Sequence, residues 1–302
     1  MTTVDNAAQR PDAAREGLLA RHPLLFFFII AFAGTWLVEL LYVLSEDGAG
    51  LLPFSSPLRP GIMIALSVFT GPFLAAFIMT GITEGRIGIR RLLRRLVLWR
   101  VGIRWYLFAL IGIPVIFVLS AIVLLLGDLA SFQGVFSTMA LGYLLTVAPM
   151  FFFGGPLGEE PGWRGFALPR LQLLHGPLLG SLILGPLWAL WHLPLFFVPS
   201  GDSPLTMFNL GLFLISITFS TIIYTWVFNN TKGSVLMTML VHTSNNAFLA
   251  LLFSAFIVSV DDALIAIMGN GTLALLIVAL TRGRLGYQHY HPEQIAQTTA
   301  PA

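Results

Sequence analysis

Stretches of about 20 apolar residues recur along almost the whole chain, and each is long enough to cross the hydrocarbon core of a bilayer as a helix. They fall at residues 24–45, 61–82, 105–126, 142–173, 177–198, 206–228, 233–257 and 263–281. The fourth run is longer than the rest and carries charges. Runs this continuous do not alternate with period two, which argues against a transmembrane β-barrel. Charged residues make up only 10% of the 302, against about 25% in an ordinary soluble domain. A chain so poor in charge cannot cover a water-facing surface, so its solvent is largely lipid. The predicted fold class is all-α: a polytopic integral membrane protein of about eight transmembrane helices.

The placement of basic residues predicts orientation, because Lys and Arg concentrate in cytoplasmic loops. Arg10, Arg15 and Arg21 precede the first run. Seven arginines (Arg86, Arg90, Arg91, Arg94, Arg95, Arg100 and Arg104) follow the second, Arg170 lies near the turn after the fourth, Lys232 follows the sixth, and Arg282 and Arg284 follow the eighth. With eight spans all of these share one side. The opposite loops carry Glu46, Asp47, Asp128, Asp202, Asp261 and Asp262, with Arg59 their only basic residue. The expectation is a multi-pass protein of the cell membrane with both termini cytoplasmic.

Residues 1–22 lack the apolar core and cleavage site of a secretory signal and are expected to remain as a cytoplasmic tail. Residues 23–136 form N-terminal membrane helices. Their Arg-rich cytoplasmic segment 86–104 interleaves arginines with Leu, Val, Ile and Trp, as a helix lying against anionic headgroups would; ordinary loop charge is the simpler reading. Residues 137–257 hold most of the unusual polar residues, 258–282 form a last span, and 283–302 a short tail. Cysteine is absent, which removes disulfide and thiolate chemistry. No basic face interleaved with aromatics points to nucleic acid.

Ionisable side chains inside membrane spans are costly and by default mark function. Here they are Glu39, Glu159, Glu160, Arg164, His192 and His242, with Asn246 as a polar companion. Glu159 stands 16 residues before His175, and His192 stands 16 after Gly176. If the His175-Gly176-Pro177 turn joins two antiparallel helices, each residue lies about 24 Å along its helix from that turn, at a rise of about 1.5 Å per residue. The same count from Lys232 puts His242 and Asn246 roughly 15 and 21 Å along theirs. Four polar groups from three helices therefore fall in one slab. Pro161, which disfavours helix in the residue before it, is expected to start a new helical segment, so the site is shallower and faces a cytoplasmic cavity.

Local spacing divides the group. Glu160 and Arg164 are four apart and are expected to pair, while Glu159 points about 100° away and stays free. His242 and Asn246 share a face, as do Trp188 and His192. A carboxylate with a histidine can deprotonate water, and a second histidine with an amide can stabilise an oxyanion. Glu159, His192 and His242 could instead be three zinc ligands with water as the fourth, although H-E-x-x-H is absent.

Three motifs occur in order: E-E-x-x-x-R as Glu159, Glu160 and Arg164; a W-x-x-x-H as Trp188 and His192; and H-x-x-x-N as His242 and Asn246. Together, over roughly residues 137–250, they resemble the CPBP (Abi) family, the type II CAAX prenyl endopeptidases and their bacterial relatives. The second motif usually has Phe where Trp188 stands. The resemblance implies an eight-helix intramembrane endopeptidase; its eukaryotic members remove the last three residues of prenylated proteins. It implies Glu159 and His192 as activators of water, His242 and Asn246 as the oxyanion site, and Glu160 and Arg164 as their support. The family is commonly labelled metalloprotease, yet a metal-free mechanism needing no cofactor fits the same residues and is preferred here, with zinc as the alternative. The implied partner is a membrane-associated protein or peptide, lipid-modified substrates included.

The competing functional class is a non-catalytic membrane protein, with a bacteriocin-immunity, scaffold or transporter role, that uses the polar cluster for binding. The complete Glu/Glu/Arg/His/His/Asn set favours catalysis, and no inverted repeat favours a transporter. Glu39 is read as a buried packing contact, Trp163, Trp188 and Trp191 as packing, and His22 and His175 as interfacial.

Overall fold

The computed structural model describes residues 17–124, 130–197, 207–255 and 262–290. The expected loop carboxylates Asp128, Asp202 and Asp261, and most of both tails, lie outside them. A single turn at Leu18–Arg21 leads into α1 (Pro23–Val43). Then come α2 (Gly61–Leu96), α3 (Ile103–Val123), α4 (Ala130–Phe153), α5 (Pro156–His175), α6 (Pro177–Trp191), α7 (Met207–Asn230), α8 (Val235–Ala255) and α9 (Asp262–Thr281). No strand occurs among the described residues. The protein is an all-α, multi-pass membrane protein. Among the described residues six helices are long and apolar enough to cross a bilayer alone, and α4 with α5, bent by 50°, counts as a seventh if the pair is taken as one span. The apolar stretch of α8, Val235–Leu251, is shorter. Leu37, Leu144 and Leu280 are 68%, 72% and 84% exposed, an arrangement stable only where the surroundings are as apolar as the side chains.

The break in the fourth apolar run lies at Gly154-Gly155, not at Pro161. Gly155 takes φ +105°, which favours glycine, and α5 begins at Pro156, where a proline's missing N–H costs nothing. Pro161 falls inside the helix, which then widens into a π-helical stretch at Trp163–Ala167. The expected new start at Pro161 is therefore replaced by an earlier start and a bulge, the usual way a helix absorbs backbone groups out of register.

α2 carries a matching irregularity. Its Phe69–Phe73 stretch is π-helical around Gly71 and Pro72. Across it, Gly158 and Gly162 of α5 bring two backbones together: a Cβ on Gly162 would strike the Pro72 backbone, and one on Gly158 would strike Val68. Small residues four apart are how membrane helices approach closely where no hydrophobic effect separates helix from lipid. Gly162→Ala is expected to destabilise the bundle by about 1–3 kcal/mol, because neither proline nor helix backbone can yield; urea denaturation in detergent would measure it.

Gly85 (φ +62°, ψ −154°) interrupts α2 a second time. The arginine-rich part, as far as Leu96, is a helical arm set off by this kink. Elsewhere, hydroxyls and amides bridge helices. Ser181 donates to Thr225 between α6 and α7 at 2.8 Å, Tyr143 and Ser244 join α4 to α8 at 2.7 Å, and Asn270 of α9 donates to Ser220 and Asn245 at 3.0 and 3.1 Å.

Candidate active site

α5, α6 and α8 converge on one indole. Trp188 donates its Nε1–H to Glu159 Oε2 at 2.6 Å. Its ring lies 4.3 Å beneath the Arg164 guanidinium and packs edge-on against His242 with centroids 5.3 Å apart. His192, one turn further along α6, lies 6.2 Å from the same ring. Four of the six motif residues thus surround Trp188, and the fifth, Glu160, is held by two of them, Arg164 and His242. The sixth, Asn246, donates to the Gly154 carbonyl at 3.3 Å and so holds the kink between α4 and α5.

The two glutamates are tied down differently. Glu160 Oε1 accepts from Arg164 Nη1 at 2.8 Å and from His242 Nδ1 at 2.9 Å, with Glu160 and Arg164 both wholly buried. Arg164 is further held over the Tyr224 ring at 4.6 Å. Glu159 is 4% exposed and is not the free carboxylate expected from its helix face. Besides the bond from Trp188, Oε2 receives a longer one from Trp163 Nε1 at 3.4 Å. No hydrogen bond to Oε1 exists among the described residues, and that oxygen faces Gly155, where any Cβ would collide with it. A charged acceptor in a low-dielectric interior gains most from such donors.

Histidine tautomers follow from these partners. A carbonyl only accepts, so the 2.9 Å contact between His192 Nδ1 and the Trp188 carbonyl puts the proton on Nδ1 and leaves Nε2 of the neutral ring as an acceptor. His192 is half-buried and His242 buried. His242 Nδ1–H likewise points at Glu160, so His242 donates from Nε2 only as imidazolium.

Trp163 and Trp188 were read as packing, and both bind Glu159 instead. The signal lay in their spacing: Trp163 follows Glu159 by four, and Trp188 precedes His192 by four, so each shares a helix face with a polar site residue. Tyr224, an isolated tyrosine in an apolar run, carried no such signal. Glu39 is buried, and Ser67 Oγ donates to its Oε1 at 3.0 Å. This bond packs α1 on α2. Trp36 of α1 reaches α6, donating to the Trp191 carbonyl at 2.9 Å.

Trp188→Phe is expected to keep the ring under Arg164 and lose the N–H on Glu159. A bond to a charged group of this kind is worth about 1.5–3 kcal/mol, readable as a lowered denaturation midpoint.

Residues 145–248, from late in α4 to α8, match the family model for Rce1-like type II CAAX prenyl endopeptidases. Over this segment the chain is similar to the type II CAAX prenyl endopeptidase-like (CPBP) family. The CAAX prenyl protease 2 of Methanococcus maripaludis is 32% identical over 150 residues, covering 43% of this chain and 52% of that protein. The match thus spans about half the length of the curated relative. Every residue around Trp188, and Asn246, lies within the CPBP segment.

The zinc alternative for the CPBP site can be tested on the donor set. Among the described residues no three His, Cys, Asp or Glu side chains are grouped to hold a metal. Glu159, His192 and His242 each lie against the Trp188 indole, and one oxygen of Glu159 is already claimed by its N–H. Three ligands around a tetrahedral zinc need donor atoms within about 2.0–2.2 Å of one point. The arrangement does not fit such a centre.

Proposed function

We propose that this chain is an intramembrane endopeptidase of the CAAX protease type, hydrolysing a peptide bond in a membrane-associated protein with water activated by Glu159 and His192. The observation that supports this most directly is the buried Glu159 carboxylate, with Oε2 pinned by Trp188 and Oε1 without a hydrogen-bond partner among the described residues.

In this reading water sits between Glu159 Oε1 and His192 Nε2, the two acceptors left open. Glu159 takes a proton as the water oxygen bonds to the scissile carbonyl carbon. The oxyanion is met by the second N–H of Asn246 and by His242 Nε2–H, with His242 as imidazolium. The buried Glu160, Arg164 and His242 then carry one net positive charge, which suits an anionic intermediate. Collapse breaks the C–N bond, and Glu159 returns the proton to the leaving amine. Water is consumed and nothing is oxidised or reduced. Glu160 and Arg164 are positioning residues that hold His242.

The break at Gly154-Gly155 supports access, since irregular backbone at membrane depth occurs where it lines a polar cavity. The segregation of arginines supports a cytoplasmic location for both termini. The name of the archaeal relative supports a prenylated C-terminal peptide as the first substrate to try.

The test is cleavage by the purified full chain in detergent, followed by mass spectrometry, of a farnesylated C-terminal peptide and of the same peptide without the lipid. Release of the last three residues by the wild type, and none by His192→Ala of equal thermal stability, is the expected result. Undiminished cleavage by His192→Ala would remove His192 from the mechanism. Cleavage of neither peptide under conditions where the protein is folded would turn the reading toward a binding protein.

A further inference from the structure

A cavity of about 310 Å³ lies away from Trp188 between the arginine-rich arm of α2, the far end of α5 and the segment after α9. Its walls carry three guanidinium groups, Arg91, Arg95 and Arg170, and one carboxylate, Glu84. Glu84 pairs with Arg170 at 2.5 Å and with Arg91 at 3.0 Å. Among the described residues Arg95 has no carboxylate partner. It is only 7% exposed, donates from Nη2 to the Tyr290 hydroxyl at 2.7 Å, and lies over the Phe228 and Tyr290 rings at 5.9 and 5.6 Å. Among the described residues the Nε atoms of Arg91 and Arg95 have no hydrogen-bond partner.

Burying cations in excess of anions is unfavourable unless something compensates. The geometry here is also specific. Arg170 is fixed by the Phe166 carbonyl at 3.0 Å and by the Phe166 ring beneath it, and Arg95 by two aromatic faces, so the guanidinium planes are set before any ligand arrives. Planar forks arriving from two helices suit a tetrahedral anion with several oxygens better than a single carboxylate. The cavity is several times the volume of bare phosphate, and Leu173, 75% exposed, stands at its edge.

We propose that this cavity is a binding site for a phosphate group, borne by the headgroup of an anionic phospholipid, with Arg91, Arg95 and Arg170 as its ligands. Basic pockets between membrane helices on the arginine-rich side take phosphorylated headgroups in this way. Arg170 is 11 residues along α5 from Glu159, roughly 16 Å, so the headgroup would brace the helix that carries the glutamates. The proposal does not depend on the hydrolytic reading.

Native mass spectrometry of the full chain, released from detergent micelles doped equally with phosphatidylglycerol and phosphatidylcholine, tests it. The wild type should retain phosphatidylglycerol preferentially, and Arg91→Gln should lower that retention about tenfold. Arg91 is partly exposed and its pair with Glu84 adds little to folding, so this variant carries the test even if Arg95→Gln fails to fold. Arg86→Gln, an exposed arginine on the same arm and outside the cavity, should retain the lipid like the wild type. Equal retention by Arg91→Gln, or equal loss in Arg86→Gln, would overturn the site. Displacement of the lipid by millimolar inorganic phosphate would show the same chemistry serving a free phosphate; failure of phosphate to compete would assign the site to the lipid.

Discussion

Glu159→Gln is expected to reduce peptide-bond hydrolysis by about 10²- to 10⁴-fold, the usual contribution of a positioned general base, while leaving the folded bundle nearly unchanged. The substitution is close to isosteric. Its amide oxygen can still accept from Trp188 Nε1, which holds Oε2 at 2.6 Å. What disappears is the basic lone pair at the position of Oε1. Single-turnover cleavage of the farnesylated peptide, with the thermal midpoint measured on the same preparation, separates the two effects. A variant that is equally stable and equally fast would show that Glu159 is held by the indoles for structural reasons alone.

Arg164→Leu is expected to act the other way, through stability first. Arg164 and Glu160 are both fully buried and 2.8 Å apart. Removing one partner of a buried pair leaves an unpaired charge and costs about 3–5 kcal/mol. His242 remains on Glu160 at 2.9 Å and must then compensate the carboxylate alone. The double variant Glu160→Gln with Arg164→Leu should recover part of the loss, because the orphaned charge is gone. A denaturation cycle over the wild type, Arg164→Leu, Glu160→Gln and the double variant measures the coupling. Purely additive losses would mean that the pair does not act as a unit.

Most of this site could be read from spacing because helices are regular. Glu160 and Arg164 pair as residues four apart on one helix do, whereas counting from the His175-Gly176 turn puts Glu159 level with His192, and the α6 residue it bonds is Trp188, one turn nearer that turn. The errors arose where the backbone departs from a regular helix or where a side chain has two chemical uses. Pro161 signals a helix start locally, yet the chain turns earlier because Gly154-Gly155 can adopt φ +105° and α5 then absorbs the proline in a wide turn. Trp163 and Trp188 are apolar by composition, and only their orientation shows that the indole N–H groups face a carboxylate.

The sequence alone determined that this is an all-α membrane protein, that its polar residues gather in the second half of the chain, and that they form the motifs of the CPBP family. The first two follow from solvent and from helical period, which act along the chain, and the third is a resemblance of motifs. Tertiary structure decided which polar atoms are engaged and which stay open: Glu159 Oε2 on Trp188, His242 on Glu160, and Asn246 on the Gly154 carbonyl. It also assembled three arginines from two helices around one cavity. These pairings join residues up to 92 positions apart. Nothing in local spacing specifies them, because they depend on how helices with bulges at Phe69–Phe73 and Trp163–Ala167 pack against one another.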